Sequence, residues 1–157
     1  MSTRINFFSG KHQDVIKAML GLSAPFESSS LEPALLELVK IRASQLNGCG
    51  YCLDMHTKDA RHAGESEQRL YLVSVWREAP MFTDREKAAL AWTEALTKLE
   101  NQHVPDQVFE QARAQFSEDE LVRLTLAVIS INAWNRLNIG FNVEPGGYKV
   151  GMFKRAS

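Results

Sequence analysis

The run Leu35-Leu36-Glu37-Leu38-Val39-Lys40-Ile41-Arg42-Ala43-Ser44-Gln45-Leu46-Asn47-Gly48-Cys49-Gly50-Tyr51-Cys52-Leu53-Asp54-Met55-His56 decides how the rest of the chain is read. Leu35, Leu36, Val39, Ile41, Ala43 and Leu46 recur at helical spacing, and Pro33 falls in the first turn, where its missing N–H costs little. The spacing predicts a helix from Leu31 to about Leu46, punctuated by Asn47-Gly48. A second helix is predicted from about Tyr51 to Ala63, stopping at Gly64. The start of that second helix carries the chain's two cysteines, Cys49 and Cys52. With His56 four positions beyond Cys52, the three side chains can share one helix face. Two thiols this close can form a disulfide without dragging the backbone, and a thiol at a helix N-terminus meets the positive end of the dipole, which favours thiolate. The chemistry suggested is reversible dithiol–disulfide cycling. Spacing leaves open which sulfur ionises first: Cys49 lies nearer the helix start, Cys52 nearer His56.

His56 is placed to take a thiol proton, and Glu37, twelve positions before Cys49, to orient or charge His56. Glu37 stands between Leu36 and Leu38. Buried without a partner, its pKa would rise and it would become a proton carrier; on the open side of its helix it would only meet water.

Composition narrows the remaining choices. A chain of 157 residues, 45% hydrophobic, forms one domain over 1–157 and buries about two-thirds of its unfolded surface. A formal charge of -1 supplies no basic field, so nucleic acid is not an expected partner. The N-terminal residues hold no apolar core of signal-peptide length. The longest apolar-rich run, Leu121 to Ile131, is broken by Arg123 and falls short of a membrane span. The expectation is a cytoplasmic protein without a membrane partner. In a reducing compartment a lone close cysteine pair serves catalysis or metal binding more often than it serves as a staple. A zinc site would need a fourth ligand beside Cys49, Cys52 and His56. Only His12, His62 and His103 remain, at no recognisable spacing, so neither metal nor cofactor is expected.

Elsewhere the pattern is helical throughout. Ser9 is read as capping a helix through Val15, Met19 and Leu20 to Gly21, and residues 23–30, rich in serine with Pro25, as a loop. Ser66 is read as capping a helix through Leu70, Leu72, Val73 and Trp76 that stops before Pro80. Thr83-Asp84-Arg85-Glu86 and Ser117-Glu118-Asp119-Glu120 are capping-box signatures, the second opening a long helix from Leu121 to about Ile139, and Pro105 starts a shorter helix between them. No stretch alternates like a half-buried strand. The fold class is therefore all-α, a compact bundle of six to seven helices. Asn132, Trp134, Asn135 and Arg136 either satisfy loop carbonyls or line the thiol site, and Trp76 and Trp92 are core or interface aromatics. The tail from Glu144 to Lys154 either docks on a neighbour or stays mobile.

Glu37, the Cys49-Gly50-Tyr51-Cys52 box and His56, at these separations, resemble the core motif of the alkylhydroperoxidase D-like proteins of the carboxymuconolactone decarboxylase superfamily. The similarity covers about Leu31 to Trp76, and the runs Phe82 to Glu86, Phe116 to Leu121 and Ile131 to Arg136 look like the rest of a common subgroup. The resemblance implies an all-helical subunit that assembles into homotrimers or homohexamers and reduces hydroperoxides. It implies Cys52 as the attacking thiolate, His56 and Glu37 as a proton relay through a water, and Cys49 as a more exposed resolving cysteine that meets an external dithiol reductant. In the best-described branch that reductant is a lipoylated protein, and a histidine precedes the second cysteine where this chain has Tyr51. Two rival readings share the motif: a decarboxylase-like lyase or isomerase working through His56 and Glu37, and a redox sensor that oxidises without turnover.

Overall fold

The structure is a computed structural model and describes residues 2–153; Lys154, the last residue of the tail considered above, lies outside them. Helices run in the order α1 (Gln13–Gly21), α2 (Ala24–Glu27), α3 (Pro33–Asn47), α4 (Gly50–His62), α5 (Glu67–Leu72), α6 (Asp84–Lys98), α7 (Asp106–Gln115) and α8 (Glu118–Gly140). Single 3-10 turns occupy Val73–Val75 and Glu100–Gln102. Among the described residues there is no strand, and the class is all-α. Seven of the helices exceed one turn; α2 is one turn only.

Local chemistry explains most of the boundaries. Thr83 and Ser117 each accept from the backbone N–H three residues on while Glu86 and Glu120 reach back, so both capping boxes are formed. The Ser66 hydroxyl accepts from the Arg69 N–H at 3.2 Å and opens α5. Gly48 closes α3 at φ +69°, a left-handed conformation that any Cβ would strain, and this turn frees the chain to start α4 two residues later.

Three boundaries differ from expectation. α5 stops at Leu72 and passes into the 3-10 turn Val73–Val75, short of Trp76. Ser9 does not cap α1: Gly10 takes φ +91°, which no helix permits, and α1 begins only after His12 with no side-chain cap. Residues 23–30 are not all loop. Pro25 lies in the first turn of α2, and the hydroxyls of Ser28 and Ser29 donate to the carbonyls of Ala24 and Phe26 at 2.7 and 2.6 Å, closing that turn from its far end.

α3 is the central element. It buries Leu35, Leu36, Leu38, Val39, Ile41, Ala43 and Ser44, residues on every side of the helix, because α4, α6 and α8 pack around it. Leu35, Leu36 and Val39 meet Trp92, Phe116, Leu124 and Val128 in one cluster, and Leu38 and Ile41 meet Val73, Trp76, Phe82 and Leu90 in another. A third joins Ala43 of α3 and Ile131 of α8 to Cys49, Tyr51 and Cys52, so the thiols are anchored in packed core.

The tail docks on its own chain. The Tyr148 hydroxyl donates to the Asp59 carboxylate at 2.8 Å, the Gly146 N–H to Asp54 at 3.0 Å, and Lys58 Nζ to the Tyr148 carbonyl at 3.1 Å. Phe153 stacks on Phe8, which lies over Trp134 with the rings 10° from parallel. No helix among the described residues is long and apolar enough to cross a membrane.

Candidate active site

The α3–α4 hairpin sets Glu37 opposite His56. Glu37 Oε2 lies 2.9 Å from His56 Nδ1, and its other oxygen accepts from Lys40 Nζ at 2.9 Å, one turn along α3. The Glu37 side chain is 19% exposed. Burial works to raise its pKa, but the hydrogen bond and charge of His56 together with Lys40 outweigh it and hold the carboxyl at about 2. Of the two readings open from the sequence, burial without a partner and simple exposure to water, neither describes Glu37, which is partly buried and has two partners. It is a fixed carboxylate that orients the imidazole, fixing the proton on Nδ1 as the donor.

Both cysteines are free and buried, Cys49 at 2% exposure and Cys52 at 1%. Both belong to the core cluster with Tyr51, Ile131 and Ala43. The pair is asymmetric in charge. The Cys52 thiol stabilises a thiolate on Cys49, as do the backbone N–H groups of Tyr51 and Cys52 at the mouth of α4, and against the effect of burial these bring Cys49 down to about 7. Once Cys49 is charged, its sulfur and then burial oppose a second ionisation, and Cys52 is pushed up. Of the two sulfurs, Cys49 is the one eased toward the thiolate, and ionisation of both together is opposed.

α8 supplies the polar groups around this pair. Asn135, fully buried, donates from Nδ2 to Ser44 Oγ at 3.1 Å and accepts from Asn47 Nδ2 at 2.9 Å, tying α8 to the end of α3 just before the turn into Cys49. Asn132 accepts a second bond from Asn47 at 2.9 Å, and Arg136 donates to Asn132. One helical step further, Asn138 Nδ2 donates to Cys52 Sγ at 3.2 Å. Among the described residues, Asn138 Oδ1 is the buried side-chain nitrogen or oxygen with no partner, a deficit worth about 1–3 kcal/mol in ordinary core. Asn135 and Asn138 continue the three-residue rhythm begun by Asn132. That spacing is visible in the sequence, although only Asn132 and Asn135 are singled out from it.

Cys52, His56 and Glu37 border one cavity of about 940 Å³, walled by Phe26, Leu36, Met55, Ile131, Trp134 and Phe153; Cys49 does not border it. Tyr148 and Val150 bring the tail into that wall. Tyr51, in the position before Cys52, is buried and has its pKa raised by burial and by the nearby Cys52 sulfur, so it is a neutral phenol packed against the site. Among the described residues no three His, Cys, Asp or Glu side chains cluster in a way that could hold a metal ion.

A buried Cys-x-x-Cys pair at a helix start, beside a carboxylate-anchored histidine in an all-helical domain, defines a helical thiol protein. A profile of the Carboxymuconolactone decarboxylase family matches residues 13–95, and the chain belongs to that family. It is 39% identical to the uncharacterized protein YdfG of Bacillus subtilis (strain 168) over 139 residues, 88% of this chain and 94% of the relative. A crystal structure from Agrobacterium tumefaciens, of a protein of unknown function described as a candidate antioxidant defence protein AhpD, superposes with a TM-score of 0.87 at 44% identity, covering 94% of this chain and all of that one. An uncharacterized peroxidase-related protein from Ralstonia eutropha JMP134 with an AhpD core shares the fold at a TM-score of 0.75 and 19% identity, over 86% of this chain and 72% of that one.

Proposed function

We propose that the protein is a thiol peroxidase that reduces hydroperoxides through Cys49 and Cys52. The observation that carries this reading is that Cys52, of the two sulfurs, borders the cavity, three positions from a Cys49 thiol brought down to about 7. In the first step Cys52 gives its proton to Cys49 and its sulfur attacks the terminal oxygen of the hydroperoxide. The O–O bond breaks, the hydroxyl passes to sulfur as a sulfenic acid, and the alkoxide leaves as the alcohol with a proton from solvent, which His56 in the cavity wall relays. Cys49 then bonds to the Cys52 sulfur, its proton leaving with the hydroxyl as water. An external dithiol reduces the disulfide by exchange and is itself oxidised. Two electrons pass from the dithiol to the peroxide in each cycle. Glu37 keeps the His56 ring in register throughout.

A lipoylated protein fits the reductant's chemistry, a flexible dithiol reaching a recessed disulfide. Assembly into trimers or hexamers belongs to the same proposal: Val122, Ile129 and Ile139 leave apolar side chains exposed along α8. Sedimentation at several concentrations tests that point.

The deciding experiment is turnover of a small hydroperoxide panel with a regenerating dithiol, for wild type and for Cys49→Ser and Cys52→Ser. Wild type should consume peroxide steadily and Cys52→Ser should not. Cys49→Ser should stop after one equivalent at the sulfenic acid. Full turnover by Cys52→Ser, or none by wild type, overturns the reading.

A further inference from the structure

We propose that Asn138 is a further catalytic residue, its amide N–H holding the Cys52 sulfur as thiolate and its carbonyl accepting the O–H that the peroxide delivers to that sulfur. The inference rests on the peroxidase reading and extends it to a residue eighty-six positions from Cys52. Three observations support it. Nδ2 already donates to Cys52 Sγ at 3.2 Å. Oδ1 of the same amide is buried and unpartnered, in a side chain only 3% exposed. Asn138 also borders the cavity that Cys52 borders.

An amide has one donating and one accepting end on a single carbon, so the group that touches the sulfur with N–H necessarily carries its carbonyl within reach of an atom newly bonded to that sulfur. The reaction places one such atom there. When the thiolate attacks, the terminal peroxide oxygen keeps its hydrogen and moves to sulfur, so the same O–H exists before and after the O–O bond breaks. Oδ1 can accept it in both states and thereby aim the oxygen along the line of attack. The carbonyls of the neighbouring asparagines are occupied: those of Asn132 and Asn135 both accept from Asn47, while the Asn135 side chain also hydrogen-bonds both sulfurs. In Asn138 the same residue type, one step along the same face, has its donor spent on the reacting atom and its acceptor spent on nothing within the protein.

The two ends of the amide can be read separately. Alkylation of Cys52 by iodoacetamide, followed by mass spectrometry across the thiol titration, senses the sulfur's charge but brings no O–H for Oδ1 to accept. Peroxide kcat/KM senses both. Asn138→Ala should lower kcat/KM roughly tenfold to a hundredfold and lower Cys52 alkylation at neutral pH by clearly less, so the ratio of the two rates falls. Asn138→Asp keeps the carbonyl oxygen and the shape but replaces the N–H by a charged oxygen. Its alkylation profile should move to higher pH while the ratio stays near the wild-type value. Melting curves report that each variant is folded. An unchanged ratio in Asn138→Ala, or an Asn138→Asp alkylation profile that overlays wild type, overturns the proposal. If wild type shows no peroxide turnover, the peroxidase reading falls and the carbonyl's role with it, and the alkylation arm still decides the N–H contact: a shifted profile in Asn138→Asp supports it, an unshifted one overturns it.

Discussion

Replacing Glu37 by Gln isolates what the partly buried carboxylate contributes. The side chain keeps its shape, but His56 and Lys40, each 2.9 Å from a carboxylate oxygen, now face a neutral amide. The magnitude follows from proton linkage. Glu37 sits at about 2 in the folded protein against an ordinary value of 4.5, which corresponds to about 3 kcal/mol of stability at neutral pH. The sign is that of a carboxylate with a depressed folded pKa: the contribution is complete above 4.5 and is lost as pH falls toward 2. Urea unfolding at fixed protomer concentration, repeated from neutral pH downward, measures it. Wild type should lose stability through that acid window, and Glu37→Gln should start lower by about 2–3 kcal/mol and lose less on acidification. Parallel curves for the two proteins, or equal stability at neutral pH, would refute the charge assignment at Glu37.

Three other outcomes are expected. Cys52→Ala removes the group that does most to lower Cys49, so the pH midpoint for alkylation of Cys49 should rise from about 7 toward that of an ordinary thiol. Asn135→Ala strips bonds from Ser44 and Asn47 in fully buried surroundings and should cost about 2–3 kcal/mol by urea titration. Tyr148→Phe leaves Asp59 without its phenol donor; amide exchange should quicken in residues 146–151 and stay unchanged in α3 and α8, as a tail held by side-chain bonds requires.

The hairpin was legible because its determinants are local. Apolar spacing from Leu35 to Leu46, the Asn47-Gly48 stop and the cysteines just after it all lie within a few residues of what they control, as do the boxes at Thr83 and Ser117. The start of α1 was misread because Ser9 offers a cap while Gly10, at φ +91°, turns the chain away from helix, and a sequence displays the hydroxyl but not the dihedral. The Glu37–His56 pairing was open to inspection as a separation across one hairpin. The sign of Glu37's shift was not, since it depends on Lys40 and His56 both turning inward at hydrogen-bond distance. Asn138 was out of reach for a different reason: its partner lies on another helix, and nothing in the residues around it says which sulfur α8 will meet.

In the proposed cycle Glu37 and Cys49 divide the work of proton handling, and the division follows from their affinities. A general base that cycles near neutrality needs a pKa close to the working pH. Glu37, at about 2, holds a proton about five powers of ten too weakly to exchange it at neutral pH, whereas Cys49 is brought to about 7. The carboxylate therefore contributes position and a constant negative charge beside His56, and the sulfurs themselves gate reactivity. A lyase or isomerase mechanism that draws a proton to Glu37 works against its salt link to Lys40 and its hydrogen bond with His56, while a mechanism that passes one proton between Cys52 and Cys49 uses the group already poised to let it go. The pH dependence of any reaction at this site should accordingly follow the sulfur pair, rising through about 7, and should be insensitive to acid titration of Glu37 until the fold itself begins to fail.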